Sequence, residues 1–227
     1  MFAAAVSRYS LGESNIMSTV TVYMVRHGET DANVNDIIQG QTDVPLNSNG
    51  LRQAQCVGRR LKDYPFDAIY SSDLSRAMVT AGYIANGRNI IPTSQLREWN
   101  LGAWEGKSIN RVAAEFPEEH KLFKADSIYF RPTSGESTRE FRDRAADFLS
   151  RIVQNHAGQT VLCVTHGGFL RMTLLNIMNM EKYPARARTD NTSVSCFRTT
   201  DSGNSWQLIT WNDASHLNND HTISSGW

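Results

Sequence analysis

The sequence predicts an α/β fold: a three-layer sandwich with a mainly parallel central sheet flanked by helices, plus a small inserted helical lid. Two observations lead to this prediction. Short apolar runs alternate with segments whose apolar residues recur at helical spacing, which is typical of strand–helix units. From Leu96 to Arg131 the pattern changes to aromatic residues scattered over short helical pieces, which indicates an insertion.

The first half of the chain supplies three predicted strands and two predicted helices. Strands are predicted at 20–25, 67–71 and 90–91, the last ended by Pro92. Residues 31–46 are polar and contain Gly40, so we expect a long loop there. A helix is predicted at 48–61 with Ser48 as N-cap, and another after Ser72-Asp73, which would cap it.

The second half repeats the alternation after the insertion. Ser137 and Glu140 form a capping box that opens a helix continuing past Ile152. Residues 160–165 are the clearest buried strand, and a helix follows as far as Ile177. Two closing strands are predicted at 193–197 and 206–211, as an antiparallel pair.

Length and charge limit the class of protein. The chain has 227 residues and a formal net charge of zero, so we expect one catalytic domain over residues 19–227 with its lid at about 98–136. A neutral chain gives no reason to expect nucleic acid as a partner. No apolar stretch approaches the ~20 residues that span a bilayer, so we expect no membrane partner. A homodimer is left open.

Residues 1–18 differ from the rest of the chain. They carry Arg8, several small residues and a single acid, Glu13. This composition weakly resembles an organelle transit peptide, but a flexible leader explains it as well, and we favour the leader. We therefore expect a cytoplasmic protein, with organelle import through residues 1–18 as the alternative. The three cysteines form no C-x-x-C pair, which fits a reducing compartment and argues against zinc.

Three predicted strands end in polar residues that are common in catalysis. These are Arg26-His27, Ser71-Ser72 leading to Arg76, and His166-Gly167. Ligands bind at the carboxyl ends of the strands in such sheets, so we expect these groups at one rim. Two arginines, two histidines and a carboxylate suit phosphoryl transfer without a metal, which needs fixed donors, a nucleophile and an acid.

Together, these strand-end motifs resemble those of a known family, the histidine phosphatase superfamily, also called phosphoglycerate-mutase-like. The resemblance covers roughly Val20 to Trp211. It rests on Val25-Arg26-His27-Gly28-Glu29-Thr30, Asn33 with Gln39-Gly40, Ser71-Ser72-Asp73-Leu74-Ser75-Arg76-Ala77, Leu96-Arg97-Glu98 with Gly102-x-Trp104-Glu105-Gly106, Thr165-His166-Gly167-Gly168 and, more weakly, Gly135-Glu136-Ser137.

The resemblance implies five catalytic residues. His27 would be the nucleophile and form phosphohistidine. Arg26 and Arg76 would hold the phosphoryl oxygens, because guanidinium keeps its charge and offers paired donors. His166 would be a further donor, protonated when phosphate is bound. Glu98 would protonate the leaving oxygen and then activate water, and we expect it to be partly buried.

The resemblance also implies a set of substrate-binding positions around a small phosphomonoester. Asn33 and the N–H of Gly167 would add uncharged donors, Gln39 and Gly40 would border the pocket, and Thr30 belongs to the same group. No metal and no other cofactor is expected.

Single residues have more ordinary interpretations. An arginine at a strand end is usually a surface charge, and an asparagine in a polar loop is often a turn former. Glu105 lies near Glu98, and only the family spacing favours Glu98 as the acid. Asn191-Thr192-Ser193 matches a glycosylation sequon, but no secretory signal accompanies it.

Three functions compete: a phosphomonoester phosphatase, a cofactor-dependent phosphoglycerate mutase, and a non-catalytic phospho-ligand binder. Mutases of the family carry a longer insertion with paired basic residues. Here the interval from Glu98 to His166 is shorter and has no Arg-Arg pair. Leu101 and Gly168 stand where mutases have Tyr and Asn. We therefore predict a phosphatase for a sugar phosphate, a phospho-acid or phosphoserine, and rank the binder last because no catalytic residue is missing.

The lid also bears on the substrate. Its basic residues would either meet a second anionic group of the substrate or form the solvated face of helices, which is the more common role. They are Lys107, Arg111, Lys121, Lys124 and Arg131.

Overall fold

A six-stranded sheet forms the centre of the molecule, which a computed structural model describes for residues 19–125, 129–183 and 186–217. The predicted leader at 1–18 lies outside the described residues. The strands are β1 (Val20–Arg26), β2 (Ala68–Ser72), β3 (Ile91–Thr93), β4 (Thr160–Thr165), β5 (Val194–Thr199) and β6 (Gln207–Asp213).

The sheet has the strand order β3-β2-β4-β1-β5-β6. The first four strands in this order pair in parallel, whereas β5 is antiparallel to both β1 and β6. The predicted mainly parallel sheet and its antiparallel closing pair are confirmed. Because β2, β4 and β1 are neighbours and parallel, their carboxyl ends lie side by side.

Helices cover both faces of the sheet. They are α1 (Asp31–Val34), α2 (Ser48–Leu61), α3 (Ser75–Ala85), α4 (Ile109–Glu115), α5 (Pro117–Lys124), α6 (Thr138–Asn155) and α7 (Gly167–Ile177).

The two faces of the sheet bury separate cores because side chains alternate along each strand. In β4, Leu162 packs with residues of α2 and α3, while Cys163 packs on the opposite face with residues of α6 and α7. The predicted three-layer sandwich is therefore confirmed. All three cysteines are free and buried, as their apolar surroundings indicate.

The predicted insertion contains α4, α5 and a 3₁₀ turn at Gly102–Trp104. Its aromatic residues pack together rather than facing outward. Trp104 lies 5.0 Å from Phe130 between ring centroids, and Trp99 stacks on Phe141 at 5.4 Å. Both tryptophans are buried, so they form the core that anchors this segment to the rest of the molecule.

Three local predictions were wrong. The loop predicted at 31–46 begins with the short helix α1. Asn47, not Ser48, caps α2, because its side chain accepts the N–H of Gly50 at 2.8 Å. Strand β3 continues through Pro92, which is tolerated because β3 is an edge strand and loses no ladder hydrogen bond there.

The start of α3 also differs from its prediction. Its N-cap position, Leu74, has no side-chain cap. The donor N–H of Ser75 is instead accepted by Asp43 at 2.8 Å, from a loop distant in sequence. Asp73 turns away and pairs with Arg97. No helix in the described part of the chain is long and apolar enough to cross a membrane.

Candidate active site

The carboxyl ends of β1 and β4 bring two histidines together. His27 follows the last residue of β1, and its N–H donates to the carbonyl of Thr165 at the end of β4 (2.9 Å). His166 is the next residue after Thr165. The two imidazole rings lie 5.0 Å apart between centroids, so the rim predicted from the strand ends exists and is centred on this pair.

The tautomer of His27 is fixed by its own chain. Its Nδ1 lies 2.7 Å from the carbonyl oxygen of Gly28. Because a carbonyl only accepts, Nδ1 must carry the proton, and Nε2 is left with the lone pair. No described residue bonds to Nε2 in the structure. A histidine held in this way presents one defined nitrogen as a nucleophile.

Both histidines are held neutral at ordinary pH. The pKa of His27 lies well below its usual value because of burial, with repulsion from Arg76 and then Arg26 adding to the effect. The pKa of His166 is also well below its usual value, again mainly because of burial and then repulsion from Arg76. The lone pair on Nε2 of His27 is therefore free of a proton.

Only one ring nitrogen of His166 has a hydrogen-bond partner among the described residues. Its Nε2 lies 2.8 Å from Oγ of Ser72, the last residue of β2, so three neighbouring strands contribute to the site. Its Nδ1 is buried and has no partner among the described residues. A buried polar atom without a partner is costly, which indicates that a ligand completes this bond.

Two buried arginines surround the histidines. Arg76 donates to the carbonyls of Gly40 (2.8 Å) and Thr42 (2.9 Å), and Arg26 donates to the carbonyl of Thr189. Burial lowers the pKa of Arg26 to about 10, with Arg171 adding repulsion, and burial also lowers the pKa of Arg76. Backbone carbonyls orient these buried guanidinium groups, and their donors beside two neutral histidines suit an anion.

Glu105 serves this arrangement rather than the chemistry. Its carboxylate accepts the N–H groups of Gln41 and Thr42, both at 2.9 Å. These residues belong to the loop whose carbonyls hold Arg76. Gly40 in the same loop has φ +51°, and a Cβ there would overlap the Glu105 side chain. Both carboxylate oxygens of Glu105 are therefore occupied by backbone N–H groups, and the assignment of Glu98 as the acid stays a prediction.

Glu98 belongs to the loop after β3, and its carboxylate lies against the first turn of α7. One carboxylate oxygen accepts the N–H of Gly168 at 2.9 Å, and the other accepts the N–H of Trp99 at 2.9 Å. It is partly buried, as expected. A Cβ at position 168 would overlap its carboxylate, so the glycine after the second histidine motif leaves space for Glu98.

A clamp that sequence reasoning missed holds the backbone around Glu98. Arg144 of α6 donates to the carbonyls of Gln95 (2.8 Å), Arg97 (2.8 Å) and Glu98 (3.1 Å). Its remaining N–H groups form a bidentate pair with Glu136 at 2.9 Å. We call Arg144 and Glu136 the clamp. The weak Gly135-Glu136-Ser137 motif was the only signal for it.

Asn33 is oriented by three donors. Its Oδ1 accepts from the N–H and hydroxyl of Thr30, both at 3.1 Å, and from Nδ2 of Asn191 at 3.3 Å. Asn191 also donates to the carbonyl of His27 at 3.0 Å. The amide oxygen is therefore occupied, and the amide nitrogen remains as the donor for a ligand. The buried Asn191 was interpreted from sequence only as part of a sequon.

The other predicted binding residues divide into two groups. Gly167 is the first residue of α7, where backbone N–H groups have no partner within the helix and suit an anion. Thr30 is fully buried as the N-cap of α1, and its hydroxyl reaches Oε1 of Gln39 at 3.0 Å. Thr30 thus contacts both Asn33 and Gln39, and its role as a ligand stays a prediction.

No cluster of metal-binding side chains occurs in the residues that the structure describes. The site consists instead of two neutral histidines, two buried arginines, one carboxylate and the first turn of a helix. Its phosphoryl half is defined here as Arg26, His27, Arg76 and His166. Glu98, Arg171 and Tyr183 surround the start of α7, since Glu98 and Tyr183 both contact the backbone of Gly168 and Arg171 lies one turn later; we call them the leaving-group half.

Comparison with known proteins places this geometry in a family. Residues 22–214 match the model of the histidine phosphatase superfamily, branch 1. The chain is 36% identical over 222 residues to phosphoglycerate mutase-like protein 4 of Arabidopsis thaliana, covering 95% of this chain and 94% of that protein. It is 35% identical over 218 residues to a metal-independent phosphoserine phosphatase of the same plant, covering 93% and 90%.

A solved structure agrees with these sequence matches. A mutant phosphoserine phosphatase from Entamoeba histolytica, in complex with phosphoserine, superposes with a TM-score of 0.80 at 28% identity, covering 87% of this chain and 99% of that one. With the family model matching most of the chain and the strand-end motifs converging on one site, the chain belongs to the histidine phosphatase superfamily and is a phosphoric monoester hydrolase.

Proposed function

We propose that the chain is a metal-independent phosphatase that hydrolyses a small phosphorylated metabolite through a phosphohistidine on His27, with Glu98 as general acid and base. The observation that carries the proposal is the Nδ1 of His27 donating to the carbonyl of Gly28 at 2.7 Å. It leaves an unprotonated Nε2 between buried cations, which is the arrangement that a nitrogen nucleophile needs.

The first step is transfer of the phosphoryl group. Nε2 of His27 attacks phosphorus, the N–P bond forms, and the P–O bond to the leaving group breaks. Arg26 and Arg76 take up the charge on the phosphoryl oxygens, and His166 becomes a donor once the dianion raises its pKa. Glu98 in its protonated form gives its proton to the leaving oxygen, which departs as an alcohol.

The second step is hydrolysis of the phosphohistidine. Glu98 is now a carboxylate and takes a proton from water, whose oxygen attacks phosphorus. The P–N bond breaks, inorganic phosphate leaves, and His27 returns to its neutral state with the proton still on Nδ1. No step requires a metal, because the positive charge comes from the guanidinium groups.

A small phospho-acid or phosphoserine is the substrate class that the relatives favour. The Entamoeba histolytica phosphoserine phosphatase forms complexes with phosphoserine and with 3-phosphoglyceric acid. The Arabidopsis thaliana relative is a metal-independent phosphoserine phosphatase. We take these two compounds as the first members of the substrate panel.

A mutase is the second candidate, because other relatives are named phosphoglycerate mutase-like protein 4 and probable phosphoglycerate mutase GpmB. The contacts of two basic residues in the lid argue against a mutase. Lys107 donates to the carbonyl of Ala103, and Arg131 pairs with Glu140. Lys107 and Arg131 are therefore already engaged, which leaves fewer lid cations for the second phosphate of a bisphosphorylated intermediate, and attack by water is favoured.

The test is a panel of phosphomonoesters assayed with EDTA for release of inorganic phosphate. His27→Ala should lower turnover by about 10³-fold or more, because the nucleophile is lost. His120→Ala, on α5, is the matched control and should keep normal activity. Full activity in His27→Ala would sink the proposal. With 3-phosphoglycerate and trace bisphosphoglycerate, rapid formation of the 2-phospho isomer would favour the mutase.

A further inference from the structure

The leaving-group half of the site contains a cation that the proposed mechanism does not use. Arg171 lies on α7 three residues after Gly168, so the two share one face of the helix. Its Nε donates to the carbonyl of Ala187 at 2.8 Å. No carboxylate among the described residues pairs with it, whereas Arg131 and Arg144 are both in ion pairs.

The position of Arg171 beside the phosphoryl half is set by one segment of chain. Ala187 accepts from Arg171, and Thr189 accepts from Arg26. Two carbonyls two residues apart are separated by about 7 Å at most. The two guanidinium groups are therefore held by the same short segment, close enough for Arg171 to contribute to the lowered pKa of Arg26 by repulsion.

Tyr183 completes the group. Its hydroxyl lies 3.4 Å from the carbonyl of Gly168, the residue whose N–H binds the carboxylate of Glu98. Its ring contacts Trp99 at 6.1 Å between centroids. Burial raises the pKa of Tyr183 to about 12, and the neighbouring Arg171 opposes that rise. The phenol thus stays protonated and remains a hydrogen-bond donor.

Arg171 pairs with no carboxylate among the described residues, so its guanidinium leaves an electrostatic demand for an anion. We propose that Arg171 and Tyr183 bind the carboxylate of a substrate in which this group lies two carbons beyond the phosphate ester oxygen. The inference rests on the proposed function, because it takes Glu98 as the acid at the leaving oxygen. A group two carbons beyond that oxygen would extend past Glu98 toward Gly168, whose N–H binds Glu98, whose carbonyl contacts Tyr183 and whose helix carries Arg171.

Phosphoserine and 3-phosphoglycerate share this connectivity and differ only in the amino or hydroxyl group between. The shared chemistry, a phosphate ester and a carboxylate on a three-carbon frame, is therefore what the site would recognise. The planar fork of an arginine matches a carboxylate with two donors, and the phenol adds a third when its proton turns from the long 3.4 Å bond to the carbonyl of Gly168.

Two substrate pairs that differ only at the carboxylate position test the proposal. Phosphoserine is compared with phosphoethanolamine, and 3-phosphoglycerate with glycerol 3-phosphate. Arg171→Met should raise KM for the carboxylates roughly 10- to 100-fold, the loss expected for hydrogen bonds to a charged group. The compounds without a carboxylate should keep their kcat/KM. Tyr183→Phe should move the same ratio in the same direction by a smaller factor.

Arg131→Met is the matched control, because it removes a lid cation that is already paired with Glu140. It should leave the ratio between carboxylate and non-carboxylate substrates unchanged. A change of that ratio in Arg131→Met but not in Arg171→Met would assign recognition to the lid and overturn the proposal. Equal losses on both members of each pair in Arg171→Met would also overturn it, since they indicate a merely structural role.

Binding to His27→Ala separates this inference from the proposed function. In that background the four compounds should bind without turnover, and calorimetry should show tighter binding of the two carboxylates. Adding Arg171→Met should abolish the preference. If the wild-type protein hydrolyses none of the four while this preference remains, the phosphatase proposal fails and the carboxylate site stands. No preference in the His27→Ala protein would overturn the carboxylate site.

Discussion

The phosphoryl half and the leaving-group half of the site are built differently. In the phosphoryl half, all four side chains are buried; Arg26, His27 and His166 lie at or directly after strand ends, and Arg76 lies in the first turn of α3, which follows β2. In the leaving-group half, Glu98, Arg171 and Tyr183 are partly exposed and come from a loop, a helix and a connecting segment. One half is fixed by the sheet, and the other depends on side-chain contacts between distant segments.

The difference indicates a division of labour. Any phosphomonoester presents the same charged group to the phosphoryl half, so a rigid, buried cradle is suitable. The leaving group is what distinguishes one substrate from another. The clamp formed by Arg144 and Glu136 gives the second half the precision that the sheet gives the first.

Replacing Glu98 should have the largest effect, because it impairs the leaving-group half and leaves the phosphoryl half intact. Glu98→Gln removes the proton donor without removing Arg26, Arg76 or His27. We expect turnover of phosphoserine to fall by about 10²- to 10⁴-fold. A dinitrophenyl phosphate, whose leaving group needs no proton, should lose much less. Phosphate release from the two substrates checks this, and equal losses on both would contradict the role given to Glu98.

Breaking the clamp should give a smaller loss of the same kind. Arg144→Met frees the carbonyls of residues 95, 97 and 98, so Glu98 shifts, and a small shift of a catalytic group costs up to about 10²-fold. The loss should again be larger for alkyl than for dinitrophenyl phosphate. Arg139→Met, on the same helix in an exposed pair with Asp143, is the control and should have normal kinetics. A loss independent of the leaving group would show that Arg144 supports only the fold.

When an anion binds to the phosphoryl half, the protein should take up one proton from solution. The free site holds His166 neutral, with its pKa well below the usual value because of burial and nearby arginines. A bound dianion reverses that balance and favours the protonated form. Tungstate stays a dianion near neutral pH. Its affinity should fall about tenfold for each unit rise in pH, as long as its binding requires His166 to take up one proton.

Calorimetry in buffers of different ionisation enthalpy measures the proton directly. His166→Gln keeps a polar side chain opposite Ser72 but cannot be protonated, so the uptake should disappear. Uptake of the same size in His166→Gln would assign the proton elsewhere and contradict this account of the phosphoryl half.

Three histidines, two in the site and one near the end of the described chain, should make the stability of the fold sensitive to mild acid. The folded pKa values of His27, His166 and His216 lie below their unfolded values, the last at about 4, each mainly because of burial. Below about pH 6.5 the unfolded chain binds protons that the folded chain does not. The free energy of unfolding should then fall by about 1.4 kcal/mol per pH unit for each such histidine until its folded pKa is reached.

Urea unfolding at pH 7.5, 6.5 and 5.5 measures this slope. His166→Gln should flatten it by about one proton, and saturating tungstate should flatten it as well, because it favours the charged form. A slope that is the same with and without tungstate would contradict the link between anion binding and the charge of His166.

Sequence patterns predicted the phosphoryl half well because its residues are local to the strands. Arg26 ends β1, His27 follows it, and His166 follows β4, so the strand pattern and the parallel arrangement bring them to one rim. The site contacts that were missed join segments far apart in the chain. Asp43 caps α3 and Arg144 holds the backbone at Glu98, and no spacing rule relates such positions.

The role of Thr30 shows the same limit. It stands in the motif with His27, which favoured it as a ligand, and the motif gave no sign that its hydroxyl caps α1 and orients Asn33. Asn191 was missed, because its sequence context suggested only a sequon. Its burial beside His27 and Asn33 depends on how β5 returns to β1, which the sequence pattern does not specify.

The most direct test of the account is a search for phosphate on His27. The protein is mixed with ³²P-labelled phosphoserine, quenched within milliseconds in alkali, which preserves phosphohistidine, and digested for mass spectrometry. The account predicts label on the peptide that contains His27, labile to acid and absent from His27→Ala. Efficient hydrolysis with no phosphohistidine, or with the label on another residue, would contradict it.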